Sequence, residues 1–244
     1  MSELTEQVSS SMDALMKEYE IITHNLANVS TVGFKRRCNA FSKALEDESS
    51  SDPGYSPGVV ELETAFDFSQ GNMTETGRTL DFALMGKGFF VIETPDGPLY
   101  TRNGAFSTDQ NGQLVDMQGR TVAGESGVIT VPRKVPVSEL FVKADGTISA
   151  QGKNLGKLKL VDFGENQNKL APVGNNCFAM TEEDVQPDIA QNVMVKQGFQ
   201  ESSNVQVIEE LVDMIMVTRM YEANINFMDS SKDASNSLLN VAMG

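Results

Sequence analysis

Two apolar stretches spaced for helical packing, one at each end of the chain, constrain the fold more than any other feature. Val8, Met12, Leu15, Tyr19, Ile22, Leu26 and Val29 follow one another at alternating steps of four and three. That repeat places an apolar seam along one side of an α-helix. No Gly or Pro interrupts it before Gly33. Asn, Ser and Thr at 28–31 compete for backbone hydrogen bonds, which predicts the end of the helix there. The second seam is Val207, Leu211, Met214, Thr218, Tyr221, Ile225 and Met228; it weakens at Lys232 and Ser235 and returns at Leu239 and Ala242. Ile208, Val212 and Ile215 widen its apolar face. Ser203 or Asn204 is the expected N-cap, and Glu209, Glu210 and Asp213 suit the N-terminal half of a helix. Residues 204–241 as a helix would span about 57 Å at ~1.5 Å per residue.

The pattern changes between the seams. Asp96-Gly97, Asn103-Gly104, Asn111-Gly112, Gln118-Gly119 and Asp145-Gly146 are turn dipeptides, and short strand-like runs such as GFFVIE, PLYTR, AFST, QLVDM and RTVAG lie among them. This predicts an antiparallel meander of short hairpins, sandwich or barrel-like. The stretch at 46–58 is poor in apolar residues and rich in turn formers, so it reads as a linker. The fold class expected is therefore α+β: long N- and C-terminal helices, as coiled-coil arms, flank a central all-β domain. Its divisions are an N-terminal helical arm (1–45), the linker (46–58), the β domain (59–185) and a C-terminal segment (186–244) whose long helix packs with the N-terminal arm. A small β domain cannot bury both seams, so each suits another helix, in the same chain or in a neighbour.

Charge narrows the function classes. The net charge is -15 at pH 7, which disfavours nucleic acid and anionic membrane surfaces as partners. Lys35, Arg36 and Arg37 form the one dense basic run, read either as a solvated loop or as a contact with acids such as Glu209, Glu210 or Asp213 of another subunit. No stretch approaches the roughly 18 apolar residues of a membrane-spanning helix. The N-terminus has no basic region followed by an apolar one, so no cleaved secretory signal is expected. Cys38 and Cys177 stand far apart without metal-ligand spacing, and free thiols are expected.

No catalytic, cofactor-binding or metal-binding constellation emerges. His24 is the sole histidine, which argues against a His-based metal site or a Ser-His-Asp triad. Gly124-Glu125-Ser126-Gly127 lacks the nucleophile-elbow spacing. Gly86-Lys87-Gly88 lacks the third glycine of a dinucleotide loop. Asp109-Gln110-Asn111-Gly112 departs from a calcium loop at the fourth and twelfth places, where Gly112 and Arg120 stand. The expectation is a protein that is not an enzyme and takes no cofactor. A β-domain binding module oligomerised by its helices is a second reading, but the chain has no Trp to offer such a surface.

Four separated motifs carry a family resemblance. Asn25-Leu26-Ala27-Asn28-Val29-Ser30-Thr31-Val32-Gly33-Phe34-Lys35 resembles the N-terminal motif of bacterial flagellar rod, hook and hook-junction proteins. Gly86-Lys87-Gly88-Phe89-Phe90-Val91 resembles the start of that family's β domain, and Tyr100–Phe106 with Asp109–Val115 its next hairpin. Gly198–Val205, Glu209-Glu210-Leu211-Val212 and Arg219-Met220-Tyr221-Glu222 resemble its C-terminal signature. Hook proteins carry a larger outer portion, so the resemblance favours a basal-body rod subunit over a hook or hook-junction subunit, and within the rod the proximal type over the distal type. It implies a structural subunit, exported without a cleaved signal peptide by the flagellar export apparatus. Such subunits polymerise through their terminal helices with copies of themselves and other rod and hook subunits, forming a helical tube across the periplasm that transmits torque. The implied assembly residues are Asn25, Leu26, Ala27, Asn28, Gly33 and Phe34 in the motif, with Leu15, Tyr19, Ile22, Leu211, Met214, Tyr221, Ile225 and Met228 along the seams. Asn25 and Asn28 are expected to bond backbone groups of an adjacent chain, and Gly33 to turn the chain out of the seam.

Overall fold

The computed structural model describes residues 2–39, 64–182 and 185–243; the expected linker at 46–58 lies outside them. The chain forms two compact units. The first is built from helix α1 (Ser2–Ala27), an antiparallel pair of short strands (Arg37–Asn39 with Thr64–Phe66) and helix α2 (Val207–Met243). α1 packs along α2. Ile22 and Asn25 are buried on α1, with Val8, Met12, Leu15 and Leu26 half-buried beside them.

The buried stripe of α2 departs from the sequence seam. Its buried or half-buried positions are Glu210, Asp213, Met214, Val217, Tyr221, Asn224 and Met228, whereas Leu211 (46 %) and Ile225 (38 %) are exposed. A polar contact accounts for the rotation. The Asn25 amide donates to both carboxylate oxygens of Glu210, at 3.3 and 3.2 Å, and a buried polar pair fixes a helix face more strictly than interchangeable apolar side chains do. The start of α2 also differs from the expectation. The helix begins at Val207, because the side chain of Asn204 is engaged elsewhere: its oxygen accepts from the backbone N–H of Arg36 at 2.7 Å and its amide donates to the Asp67 carbonyl at 2.9 Å.

The second unit spans 28–36 and 67–204. Its largest sheet follows the order Leu170–Gly174, Cys177–Met180, Gly97–Thr101, Phe89–Thr94, Thr121–Gly124, Leu114–Val115, Ser107–Thr108. A simple meander would seat Ser107–Thr108 beside Gly97–Thr101. That edge instead receives Cys177–Met180, and the later hairpins add to the other side of Phe89–Thr94. The central position explains the sequence GFFVIE: a strand covered on both faces reads as a continuous apolar run. Phe90 and Ile92 enter the main core with Phe82, Leu84, Phe106, Ile129 and Leu158. Phe89 joins an aromatic cluster, edge-on to Phe68 at 5.4 Å and to Phe163 at 5.8 Å. Three further strands, Leu140–Val142, Thr147–Ala150 and Lys153–Lys157, form their own sheet. Met194–Gln197 pairs with Phe82–Met85, and Phe199–Glu201 with Met73–Glu75.

Two of the turn dipeptides close near-identical loops. Asp109 Oδ1 accepts from the N–H groups of Asn111 and Gln113, and Asp116 Oδ1 from those of Gln118 and Arg120. Asn103-Gly104 does something else. Gly104 passes directly over another strand, where an added Cβ would lie 1.8 Å from the Phe82 carbonyl oxygen. Only a residue without a side chain permits that approach.

Candidate assembly site

The motif Asn25–Lys35 divides between the two units. In the helical unit Asn25 is wholly buried and uses its amide in both directions. Nδ2 donates to the Arg37 carbonyl at 2.8 Å, Oδ1 accepts from the Arg37 N–H at 2.8 Å, and Nδ2 also reaches Glu210. Asn25 therefore bonds its own chain, correcting the expectation of an adjacent one: a planar amide has a donor and an acceptor side, and the neighbouring backbone offers the complement of each. Leu26 is half-buried beside it and Ala27 is exposed.

In the β unit, Asn28–Arg36 forms a strap. Asn28 accepts from the Thr31 N–H and hydroxyl. Gly33 adopts φ +67° and donates to the Glu201 carbonyl at 2.7 Å; a Cβ there would meet Asn103 N at 2.5 Å. Val32 accepts from the Asn176 amide at 2.9 Å. Phe34 is buried. Lys35 follows, its side chain fully withdrawn from solvent, donating to Glu201 Oε1 at 2.7 Å and to the Ser69 carbonyl. Glu201 Oε1 also accepts from the Gly71 N–H at 3.0 Å. Arg102 completes the cluster, with Nη1 3.7 Å from Glu201 Oε2, Nη2 donating to the Gly86 carbonyl at 2.7 Å and the guanidinium over the Phe89 ring at 5.7 Å. Burial pushes the Lys35 ammonium below its ordinary value, with Glu201 opposing. Arg102 is lowered for the same reason, opposed by Glu201 and Asp162. Lys35 is thus neither solvated nor paired to an acid of α2, which corrects the reading of the basic run at that one position.

The seam residues share one helical unit. Ile22 is buried, Leu15, Met214, Tyr221 and Met228 are half-buried, and Tyr19, Leu211 and Ile225 are exposed. Between α1 and α2 runs a groove of about 440 Å³ lined by Leu15, Met16, Tyr19, Val217, Thr218 and Tyr221, with Glu20 also on its wall. On α2, Ile208 (78 %), Val212, Ile215 (54 %) and Met216 are exposed as well. Reading the sequence alone missed the roles of Lys35, Arg102, Glu201 and Glu210. The available signal was that Lys35 and Glu201 each lie inside a family motif, one toward each end of the chain.

Comparison with known proteins agrees with this architecture. Residues 83–150 match the family described as flagellar hook protein FlgE/F/G D1 domain, and residues 196–241 the family described as flagellar basal body rod FlgEFG protein C-terminal. A flagellar basal-body rod protein FlgG of Buchnera aphidicola subsp. Acyrthosiphon pisum is 35 % identical, over 90 % of this chain and 92 % of that protein. FlgF proteins of Caulobacter vibrioides and Salmonella typhimurium are each 33 % identical, over 91 % and 93 % of this chain and 91 % and 94 % of theirs. The chain belongs to the family of flagellar basal-body rod proteins. It is a structural subunit of the bacterial flagellar basal-body rod, where such subunits assemble with other flagellar components. Identities to the FlgG and FlgF relatives differ by about two per cent, which divides the match between the two types. Among the described residues, no helix is long and apolar enough to cross a membrane.

Proposed function

We propose that the chain polymerises through α1 and α2, acting as coiled-coil arms, into a helical tube that spans the periplasm and transmits torque from motor to hook. It does so as a structural element and not as an enzyme, in the proximal rod, after export by the flagellar apparatus without a cleaved signal peptide. The motif residues Asn25, Leu26, Ala27, Asn28, Gly33 and Phe34 shape each subunit for assembly, and Leu15, Tyr19, Ile22, Leu211, Met214, Tyr221, Ile225 and Met228 provide the apolar contact. The observation that carries this reading is the apolar surface that α2 leaves exposed beyond its contact with α1, with Ile208, Leu211, Val212, Ile215 and Ile225 among it. Large apolar side chains grouped on an exposed helix surface suit it to burial against a neighbour. A contact repeated head to tail without closing yields a filament.

The test is Ile225→Asp against Asp233→Asn. Ile225 is already exposed in the chain, so the variant folds, yet an unpaired carboxylate in an apolar contact costs several kcal/mol. Expected outcomes are loss of motility and absent rods by electron microscopy of basal bodies for Ile225→Asp, and little change for Asp233→Asn. Normal rods with Ile225→Asp would remove the helices from assembly.

A further inference from the structure

We propose that a ring of hydrogen bonds joining Arg36, Asp67 and Asn204 is a mechanical clamp through which load on the helices enters the β unit. The inference rests on reading the chain as a torque-carrying subunit and says where, inside one subunit, that load is borne. The chain passes between its two units after Ala27, Arg36, Phe66 and Asn204. A pull on α1 or α2 therefore reaches the β unit, along the chain, at one of these points. Three of them are tied to one another. The Arg36 N–H donates to Asn204 Oδ1 at 2.7 Å, the Asn204 amide donates to the Asp67 carbonyl at 2.9 Å, and the Asp67 N–H donates back to the Arg36 carbonyl at 2.9 Å. Each crossing residue is held by the other two, although Arg36 and Asn204 stand 168 residues apart in sequence.

A second tier lies behind the ring. Ser69 Oγ accepts from the Asn204 amide at 3.0 Å, and the Ser69 carbonyl accepts from Lys35. Glu201 Oε1 draws in both Lys35 and the Gly71 N–H. Sterics block slip along the chain direction. A Cβ at Gly33 would meet Asn103 N at 2.5 Å, and one at Gly71 would meet the Ser202 carbonyl oxygen at 2.0 Å. Sliding either segment by one residue would push Val32, Phe34, Gln70 or Asn72 into a slot that rejects a Cβ. A helix drawn from its end gives up its hydrogen bonds one at a time, because each closes a separate turn. The ring must lose its bonds together, and hydrogen bonds in a connected set polarise and strengthen one another. Asn204 is the keystone: it supplies the one side chain in the ring, and its amide both accepts and donates.

The experiment pulls single full-length chains by optical tweezers, with one handle at the C-terminus and the other at the exposed turn residue Asp96. The wild-type chain should give up α2 at low force and then show a separate rupture at higher force, when Asn204 leaves the ring. Asn204→Ala, its fold confirmed by circular dichroism, should lose the second rupture. Asn204→Gln keeps the amide but displaces it by one methylene, and should lose it too. Gly119→Ala, in a turn of the same unit with open space around it, should keep it. A wild-type chain that opens in one step, a second rupture retained in either Asn204 variant, or its loss in Gly119→Ala overturns the proposal. Cells separate the two levels. With Asn204→Ala, rods should be present by electron microscopy, and rotation should fail under viscous load while persisting at low load. Absent rods would place Asn204 in assembly, and unchanged rotation under load would take the ring out of the load path; either defeats the clamp alone. Wild-type rods that do not bind antibody to this chain defeat the torque-carrying reading beneath it.

Discussion

Lys35 and Glu201 stand 166 residues apart in sequence and 2.7 Å apart in space, with both side chains fully buried. A buried charge needs its partner more than the folded state needs the pair, because removing one member strands the other without water. Lys35→Met should therefore destabilise the β unit by about 3 kcal/mol, measured by urea denaturation. Glu201 also faces the buried Arg102, so Glu201→Gln added to Lys35→Met should cost less than the sum of the two single losses, giving a clear coupling in a double-mutant cycle. Additive losses would show that the two charges act independently.

Glycines separate into two kinds. A Cβ at Gly104 would overlap the Phe82 carbonyl, whereas one at Gly119, with φ +79°, meets nothing within 4 Å. Gly119→Ala should cost about 1 kcal/mol, the backbone term alone. Gly104→Ala must move backbone and should cost several times that, or prevent folding of the β unit. Thermal melts of the two variants decide it; equal losses would mean that the strand crossing at Phe82 yields easily.

Asn25→Asp tests the helical unit. The change removes the donor shared between Arg37 and Glu210 and sets a second carboxylate about 3.2 Å from the first. It should destabilise the contact of α1 with α2 by roughly 2–4 kcal/mol, and more than Asn25→Ala, which adds no charge. Amide hydrogen exchange in α1 reads the effect directly, with Asp and Ala compared at neutral pH.

The cysteines should differ in reactivity. Cys177 is buried, and burial pushes its thiol up, with the Arg120 guanidinium opposing at 3.1 Å from Sγ. Cys38 is half-buried. Iodoacetamide followed by mass spectrometry should label Cys38 in the native protein and reach Cys177 only on unfolding. The folded Cys177 keeps its proton to higher pH than the unfolded thiol. Its contribution to stability is therefore fully present below about 8.5 and declines as pH rises toward the folded value. Cys177→Ser should flatten the alkaline slope; an unchanged slope would assign it to other groups.

Local signals were legible and distant ones were not. The end of α1 at Ala27 and the loops at Asp109 and Asp116 follow from residues a few positions apart, so periodicity and turn chemistry reach them. Asn103-Gly104 carries the same turn signature as Asn111-Gly112, yet its glycine serves a crossing with Phe82, a partner some twenty residues away. The α2 face was misjudged by one position because apolar spacing leaves the rotation of a helix loose, and the Asn25–Glu210 contact that fixes it joins opposite ends of the chain. In the same way, nothing near Lys35 reveals that its neighbours would be Glu201, Ser69 and Arg102.

The span from Lys35 to Glu201 also sets a clock. Translation proceeds at about 5–20 residues per second, so roughly ten to thirty seconds pass between the synthesis of Lys35 and that of its partner. Through that interval the strand Met73–Glu75 lacks its pairing strand Phe199–Glu201, and Lys35 remains a hydrated cation. Contacts this remote in sequence also close slowly once both ends exist. The β unit is thus finished only after nearly the whole chain has been made, and until then the nascent polypeptide is held open by its own topology.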